Sequence, residues 1–440
     1  MEWPVVFALM LACLVVLMLT GMPIAFAFLL TCILGSVLFW GGLSGLGQLA
    51  MSVGNSVVMF SLLPVPLFLL MGNIIYCTGL GTMIVGALDK LLGRLPARLS
   101  VLAVAVGAVL GSMIGISGGS IAITATSLVP EMKRRGYRPE MTIGPIVSTG
   151  TLGTMIPPSA LGVFLAAMGG ISAAKVLVGI IVPGLLLAVA FAVYILVRVA
   201  LKPDLAPAYE VERVPLQEKL RVLVRELLPF LLIIFSVLGV IFLGICTPSE
   251  AAAFGAIACY VLAAAYRRLT WQAVKESAVA TIEITAMILV ITMGAMSFSR
   301  ILASSGAVNG FIHWITDAQL SPWLVLIGTQ AIIMVLGCFM EPASIVMLTV
   351  PVFIPLMSAL GFDPIWYAVI MLLNIQLGLI TPPLGLDVYN AKSVVSRLDP
   401  DITVEDVFRS SMPFFFIGVL VMVLLMIFPQ LVLWLPSAAK

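Results

Sequence analysis

Polar and charged residues are so unevenly placed along this chain that its elements can be read from their gaps. From Trp3 to Leu88 there is no charged side chain, room for three membrane spans at about 20 residues each. Further apolar runs complete a set of expected spans near residues 4–20, 23–40, 55–78, 176–197, 229–246, 251–266, 279–302 and 411–435. Two stretches have a different grammar. Residues 99–132 are apolar with a polar, glycine-rich centre at Ser117-Gly118-Gly119-Ser120, and both flanks are basic. Equal flanks mean that the chain returns to the side it left, so the pattern predicts a re-entrant hairpin of two short helices. Irregular backbone survives at membrane depth only where it lines a cavity or packs on protein. Residues 324–360 repeat the pattern between Asp317 and Asp363, without basic flanks.

After each hairpin comes an apolar run broken by a double proline. Met141 to Ala174 is uncharged for 34 residues, roughly 51 Å as a helix, against a hydrocarbon core of about 30 Å. Proline removes a donor and clashes with the preceding turn. Pro157-Pro158 and Pro382-Pro383 therefore mark breaks in two crossing helices, near 141–170 and 366–391. Pro215 to Glu226 and Thr270 to Ser277 mix charge with apolar residues and are expected to lie along the interface.

Composition closes off soluble folds: 62% of 440 residues are hydrophobic and 10% charged, against about 25% charged in globular chains. The net charge of +2 gives no reason to expect nucleic acid. The position of the positives is informative. Of 22 Lys and Arg residues, 19 fall in five clusters: Lys90/Arg94/Arg98, Lys133 to Arg138, Arg198 to Arg225, Arg267/Arg268/Lys275 and Lys392/Arg397/Arg409. Placing all five in the cytoplasm gives an even number of crossings between consecutive clusters and a periplasmic N-terminus. The flanks of the second hairpin then read as periplasmic. The first apolar run lacks a basic leader and a cleavage signal and reads as a retained helix. Six cysteines lie scattered in apolar runs with no metal or disulfide spacing.

A single offset of 225 residues relates the two halves. It pairs Pro4 with Pro229, Pro23 with Pro248, Pro130 with Pro355, Pro139 with Pro364, and Pro157-Pro158 with Pro382-Pro383. Combined with the charge pattern, it predicts an all-α polytopic membrane protein of two inverted-topology repeats. These are residues 1–210 and 229–440, joined by a cytoplasmic interfacial linker at 211–228. Such repeats place substrate and ions at the midplane between them.

The breaks carry the candidate chemistry. An interrupted helix exposes N–H groups on one side and carbonyls on the other; the carbonyls suit Na⁺ and the N-terminal ends an anion. Around the first break stand Ser148, Thr149, Thr151, Thr154 and Ser159, facing Ser117 and Ser120 of the first tip. Around the second stand Asn374, Gln376, Thr381, Asp387 and Asn390, facing Glu341 and Ser344. Membrane Ser and Thr commonly bond back to the preceding turn instead. Glu341 and Asp387 fit either helix caps or ligands, and Lys392 fits either a partner for a carboxylate or a cytoplasmic helix end. Arg300 and His313 read as interface anchors.

These residues resemble the large membrane subunit of tripartite ATP-independent periplasmic (TRAP) transporters, the DctM family, over nearly the whole chain. The resemblance is carried by Thr20-Gly21-Met22-Pro23, Gly115-Ile116-Ser117-Gly118-Gly119-Ser120, Gly150-Thr151-Leu152-Gly153, Ile156-Pro157-Pro158-Ser159, Thr247-Pro248-Ser249-Glu250, Phe339-Met340-Glu341-Pro342-Ala343-Ser344 and Thr381-Pro382-Pro383-Leu384. It implies an elevator-type carrier of the ion transporter superfamily that uses Na⁺ as coupling ion, needs no other cofactor, and resides in the bacterial inner membrane. It also implies two separate partners, a small four-helix membrane subunit and a periplasmic substrate-binding protein, alongside the lipid bilayer. The implied cargo is a small carboxylate, with C4-dicarboxylates one instance. Carried onto this chain, the ion sites comprise Ser117, Gly118, Gly119, Ser120, Thr149, Gly150, Gly153 and Pro157, then Glu341, Ala343, Ser344, Asn374, Gly378 and Thr381. The candidate substrate contacts are Ser120, Ser159, Ser344, Asp387 and Asn390. The chain departs from the family pattern in its Ser-Gly-Gly-Ser tip and in the polar tract Asp387 to Lys392.

Two other carriers compete. A Na⁺/carboxylate symporter of the same superfamily needs no binding protein. Glu250-Ala251-Ala252 resembles the coupling motif of ATP-driven permeases, but it falls on the expected periplasmic side. An intramembrane enzyme is disfavoured by a single His and the absence of an HExxH motif.

Overall fold

The computed structural model describes residues 3–93, 95–115, 117–207, 209 and 214–438. Arg94, Ile116 of the tip motif and the first residues of the expected linker, 211–213, lie outside the described residues. All regular structure among the described residues is helical. Seven helical segments are long and apolar enough to cross a bilayer, and the pair Pro139–Met155 and Ala160–Met168, bent by 47°, makes an eighth. The chain is a multi-pass membrane protein.

Both hairpins form where the apolar runs with polar centres predict them. The first has arms Arg98–Ile114 and Ser117–Arg134, the second Pro322–Gly337 and Pro342–Ala359. Each is followed by its broken helix: Pro139–Met155 then Ala160–Met168, and Pro364–Gly378 then Leu386–Leu398. Pro139, Pro342 and Pro364 each occupy a first helical position, where a missing N–H costs nothing. The Pro157–Pro158 and Pro382–Pro383 bonds are both cis.

The packing of these parts joins the halves. The second arm of the first hairpin lies against Leu386–Leu398, and the second arm of the second hairpin lies against Ala160–Met168. Both arms of each hairpin also pack on the unbroken start of their own half's broken helix, which the first arm crosses closely. Glycines permit that crossing: a Cβ on Gly111 would stand 2.2 Å from Gly153 Cα, and one on Gly337 would stand 2.7 Å from Gly378 Cα. In lipid, such small-residue contacts let backbones pack closely enough for dispersion to hold helices together. The tips and breaks thereby converge at one place.

Several elements differ from the expected ones. Leu43–Val57 is a helix although its run is diluted by Gly, Ser, Gln and Asn, and the span expected from residue 55 begins at Pro64 after a turn at Phe60–Leu62. Thr270 to Ser277 is not a separate interfacial helix. Thr270 caps a single helix, Trp271–Ser304, 34 residues long, by accepting from the Ala273 N–H at 3.1 Å. Pro215 to Glu226 is likewise continuous with the next span, through a π-turn at Leu223–Leu227. The last span, expected near 411–435, is Val404–Ile427 followed by a separate Gln430–Ala438.

Candidate functional site

A cavity of about 260 Å³ lies where the four tips and breaks meet. The first hairpin contributes Gly115, Ser117 and Gly118, and the second Glu341, Pro342 and Ala343. Thr154, Ala160 and Phe164 flank it from the first broken helix; Gln376, Leu379, Asp387 and Asn390 flank it from the second. Val65 and Leu69 of Pro64–Cys77, with Ile284, Met287 and Ile288 of the long helix, form an apolar wall. Nothing in the sequence marked that wall, because an apolar side chain in an apolar span carries no signal of what it faces.

Asp387 is the best-fixed polar group. It is 1% exposed and sits in the first turn of Leu386–Leu398, whose cap position belongs to Gly385. Its Oδ1 accepts from the Ser117 hydroxyl at 2.8 Å. Its Oδ2 has no hydrogen-bond partner among the described residues, and a Cβ on Gly150 would come within 2.8 Å of it. Gly150 is therefore a space requirement of the carboxylate. Glu341 stands at the cap position of Pro342–Ala359, but its side chain makes no capping bond, so its carboxyl is available to the cavity. Lys392 is not the partner of Asp387; its ammonium donates to the Ile402 carbonyl.

The remaining expected ligands divide into two groups. Thr149, Thr154 and Thr381 donate to carbonyls of their own helices, Ile146 at 2.7 Å, Thr151 at 3.1 Å and Leu377 at 2.6 Å. Ser159 accepts from the Gly162 N–H at 3.1 Å and caps the half-helix after the break. In the second group, Ser120 Oγ, Thr151 Oγ1, Ser344 Oγ, Asn374 Oδ1 and both amide atoms of Gln376 are buried without a partner among the described residues. Buried polar groups are nearly always hydrogen-bonded, so a set of orphan neutral oxygens beside broken helices is a donor set of the kind a hard cation takes. Asn374 Nδ2 donates to Gln330 O and Oε1, both at 2.7 Å; Gln330 was missed, although an amide inside an apolar hairpin arm was a visible signal. Gly119, Gly153, Pro157 and Gly378 supply backbone only. Ser120 Oγ lies 3.3 Å from where a Cβ of Gly153 would stand. Arg300 donates to Ser52 Oγ at 3.0 Å.

Among the cavity-lining residues there are two carboxyls and no Lys, Arg or His. No group of three or more His, Cys, Asp or Glu able to hold a metal occurs among the described residues. The arrangement can bind and release small polar solutes.

Comparison with known proteins agrees with this reading. The crystal structure of the YdaH transporter of Alcanivorax borkumensis superposes with a TM-score of 0.67 over 92% of this chain and 98% of that one, at 15% identity; the likeness is one of fold. The C4-dicarboxylate TRAP transporter large permease protein DctM of Pseudomonas aeruginosa is 30% identical over 393 residues, 89% of each chain. The ectoine TRAP transporter large permease protein TeaC of Halomonas elongata is 26% identical over 98% of this chain and 99% of its own. Residues 11–431 match the family model described as "Tripartite ATP-independent periplasmic transporter, DctM component". With hairpins, breaks and cavity in the places the motifs mark, the chain belongs to the DctM family, the large permease component of TRAP transporters.

Proposed function

We propose that this permease imports a small organic acid across the bacterial inner membrane by Na⁺ symport. A periplasmic binding protein delivers the substrate, and a separate small four-helix subunit completes the membrane complex. In this reading the halves are inverted repeats, the N-terminus is periplasmic, and the hairpins with the broken helices move together as an elevator. The observation that carries it is the convergence of both tips and both breaks on one cavity, with orphan neutral oxygens on those same tips and broken helices, Gln376 among them in the cavity lining.

For a cargo that is a dianion, energetics requires a coupling ion. Moving a dianion inward against an interior-negative potential costs about 4.6 kcal/mol per 100 mV, twice the cost for one charge. Two Na⁺ neutralise that, and the Na⁺ gradient or a third cation drives accumulation. Uptake by proteoliposomes holding the permease, the small subunit and the binding protein is the test. A Na⁺ gradient is expected to accelerate it severalfold, and uptake indifferent to Na⁺ sinks the coupling. Removal of the binding protein separates this reading from a stand-alone symporter, which would keep its uptake.

A further inference from the structure

The cavity's charge does not match a simple dianion. Its lining carries Glu341 and Asp387 and no cationic side chain. Asp387 is 1% exposed and fixed on one oxygen by Ser117, while Oδ2 has no partner among the described residues. A second feature is independent of the carboxyls. Gln376, which also lines the cavity, is fully buried, and neither its amide nitrogen nor its amide oxygen has a partner among the described residues. Ser117 and Thr154 spend their hydroxyl protons on Asp387 and on Thr151 O. What is left for a ligand is a pair of carboxyls plus the amides of Gln376 and Asn390.

Like charges brought together in a low-dielectric site repel strongly, and a buried charge without a partner is costly. Even with coupling Na⁺ bound nearby, a dicarboxylate would set two carboxylates beside the two carboxyls of the lining, where the free side-chain donors are amides. A molecule with an ammonium or amidinium at one end and a carboxylate at the other satisfies both sets. From this we infer that the substrate of this permease is a small zwitterion, its cationic group held between Asp387 and Glu341 and its carboxylate by the Gln376 and Asn390 amides. The inference rests on the transport reading above and narrows its organic acid to one that bears a cation.

The test compares ligands matched in size. The thermal unfolding midpoint of the purified permease is measured at fixed Na⁺ with ectoine, 4-aminobutyrate or β-alanine, and with succinate or glutarate. At least one zwitterion is expected to raise the midpoint, with the dicarboxylates inert, and D387N is expected to need about tenfold more ligand for the same shift. Because D387N removes a buried bond, E341Q supplies the same readout from a carboxyl that makes no capping bond. A midpoint raised by the dicarboxylates, or by none of the zwitterions, overturns the proposal. So does a variant that loses only the shift caused by Na⁺ itself while keeping that of the zwitterion. The transport reading is judged separately: a zwitterion that stabilises the protein yet shows no Na⁺-driven uptake in proteoliposomes counts against that reading and leaves the binding assignment standing.

Discussion

The Ser117 hydroxyl donates to Asp387 Oδ1 across 2.8 Å, joining the tip of the first hairpin to the helix that follows the second double proline. It is a direct side-chain bond between the two halves inside the cavity. A hydrogen bond to a charged group contributes about 1.5–3 kcal/mol, and a buried acceptor stranded without its donor costs a similar amount. S117A is therefore expected to lower the unfolding midpoint and to reduce uptake about tenfold or more, with S117T, which keeps the hydroxyl, recovering most of both. Wild-type uptake in S117A would mean that the bond is incidental to transport.

A different kind of sensitivity is expected where the hairpins cross the broken helices. A Cβ on Gly111 meets the Gly153 backbone at 2.2 Å, and one on Gly337 meets that of Gly378 at 2.7 Å. Backbone cannot rotate away as a side chain can, so the helices must separate. G111A and G337A are each expected to destabilise by about 1–3 kcal/mol, the usual cost of overpacking. Gly328, on the same arm as Gly337, has nothing within 4 Å of its built Cβ, and G328A is expected to gain up to about 1 kcal/mol from helix propensity. Equal midpoints for all three variants in detergent would refute the close crossing.

The architecture was legible where charge and proline punctuate the chain. The second hairpin was expected at 324–360 and occupies Pro322–Gly337 and Pro342–Ala359, because an apolar run around a polar centre has few other solutions in lipid. Leu43–Val57 was illegible for the opposite reason: Gly45, Gly47 and Gly54 with Gln48 and Asn55 erase its apolar pattern, and packing against the long helix holds it. Side-chain roles were legible by type but not by direction. Asp387 and Ser117 stood out as polar groups at a tip and a break, whereas the turn of Lys392 toward Ile402 depends on where the following loop returns. Thr149 and Thr381 offer hydroxyls of the right chemistry at the right depth, yet their donors face their own helices, a choice set by rotamer and not by sequence position.

Helix starts give a third, smaller prediction. The Thr403 side chain accepts from the Asp406 N–H at 3.1 Å, while Asp406 Oδ2 accepts from the Thr403 N–H at 2.9 Å, a reciprocal cap on Val404–Ile427. T403A is expected to cost about 1 kcal/mol, seen as a lower midpoint, and T403S to cost little. Uptake measured well below the midpoint should be unchanged, since the cap lies away from the cavity. An uptake defect in T403A without a stability defect would contradict that placement.

Membrane orientation is the relationship on which alternating access depends, and two exposed positions test it. Lys133 ends the second arm of the first hairpin and pairs with Asp399 at 2.6 Å, while Asp317 precedes the second hairpin in sequence. Exposed ion pairs contribute about 0–1 kcal/mol, so K133C should fold, and D317C removes a charge at an exposed helix end. Both are made in a background whose six native cysteines are replaced by Ala or Ser. If the halves are inverted, a membrane-impermeant maleimide added to spheroplasts labels D317C at once and labels K133C only after permeabilisation. The basic neighbours Arg134, Arg135 and Arg138 favour the cytoplasmic side for Lys133, whereas no Lys or Arg flanks Asp317 closely. Labelling of both from outside would put the two hairpin openings on one face, and a cavity entered from one side twice cannot be exposed to each side in turn.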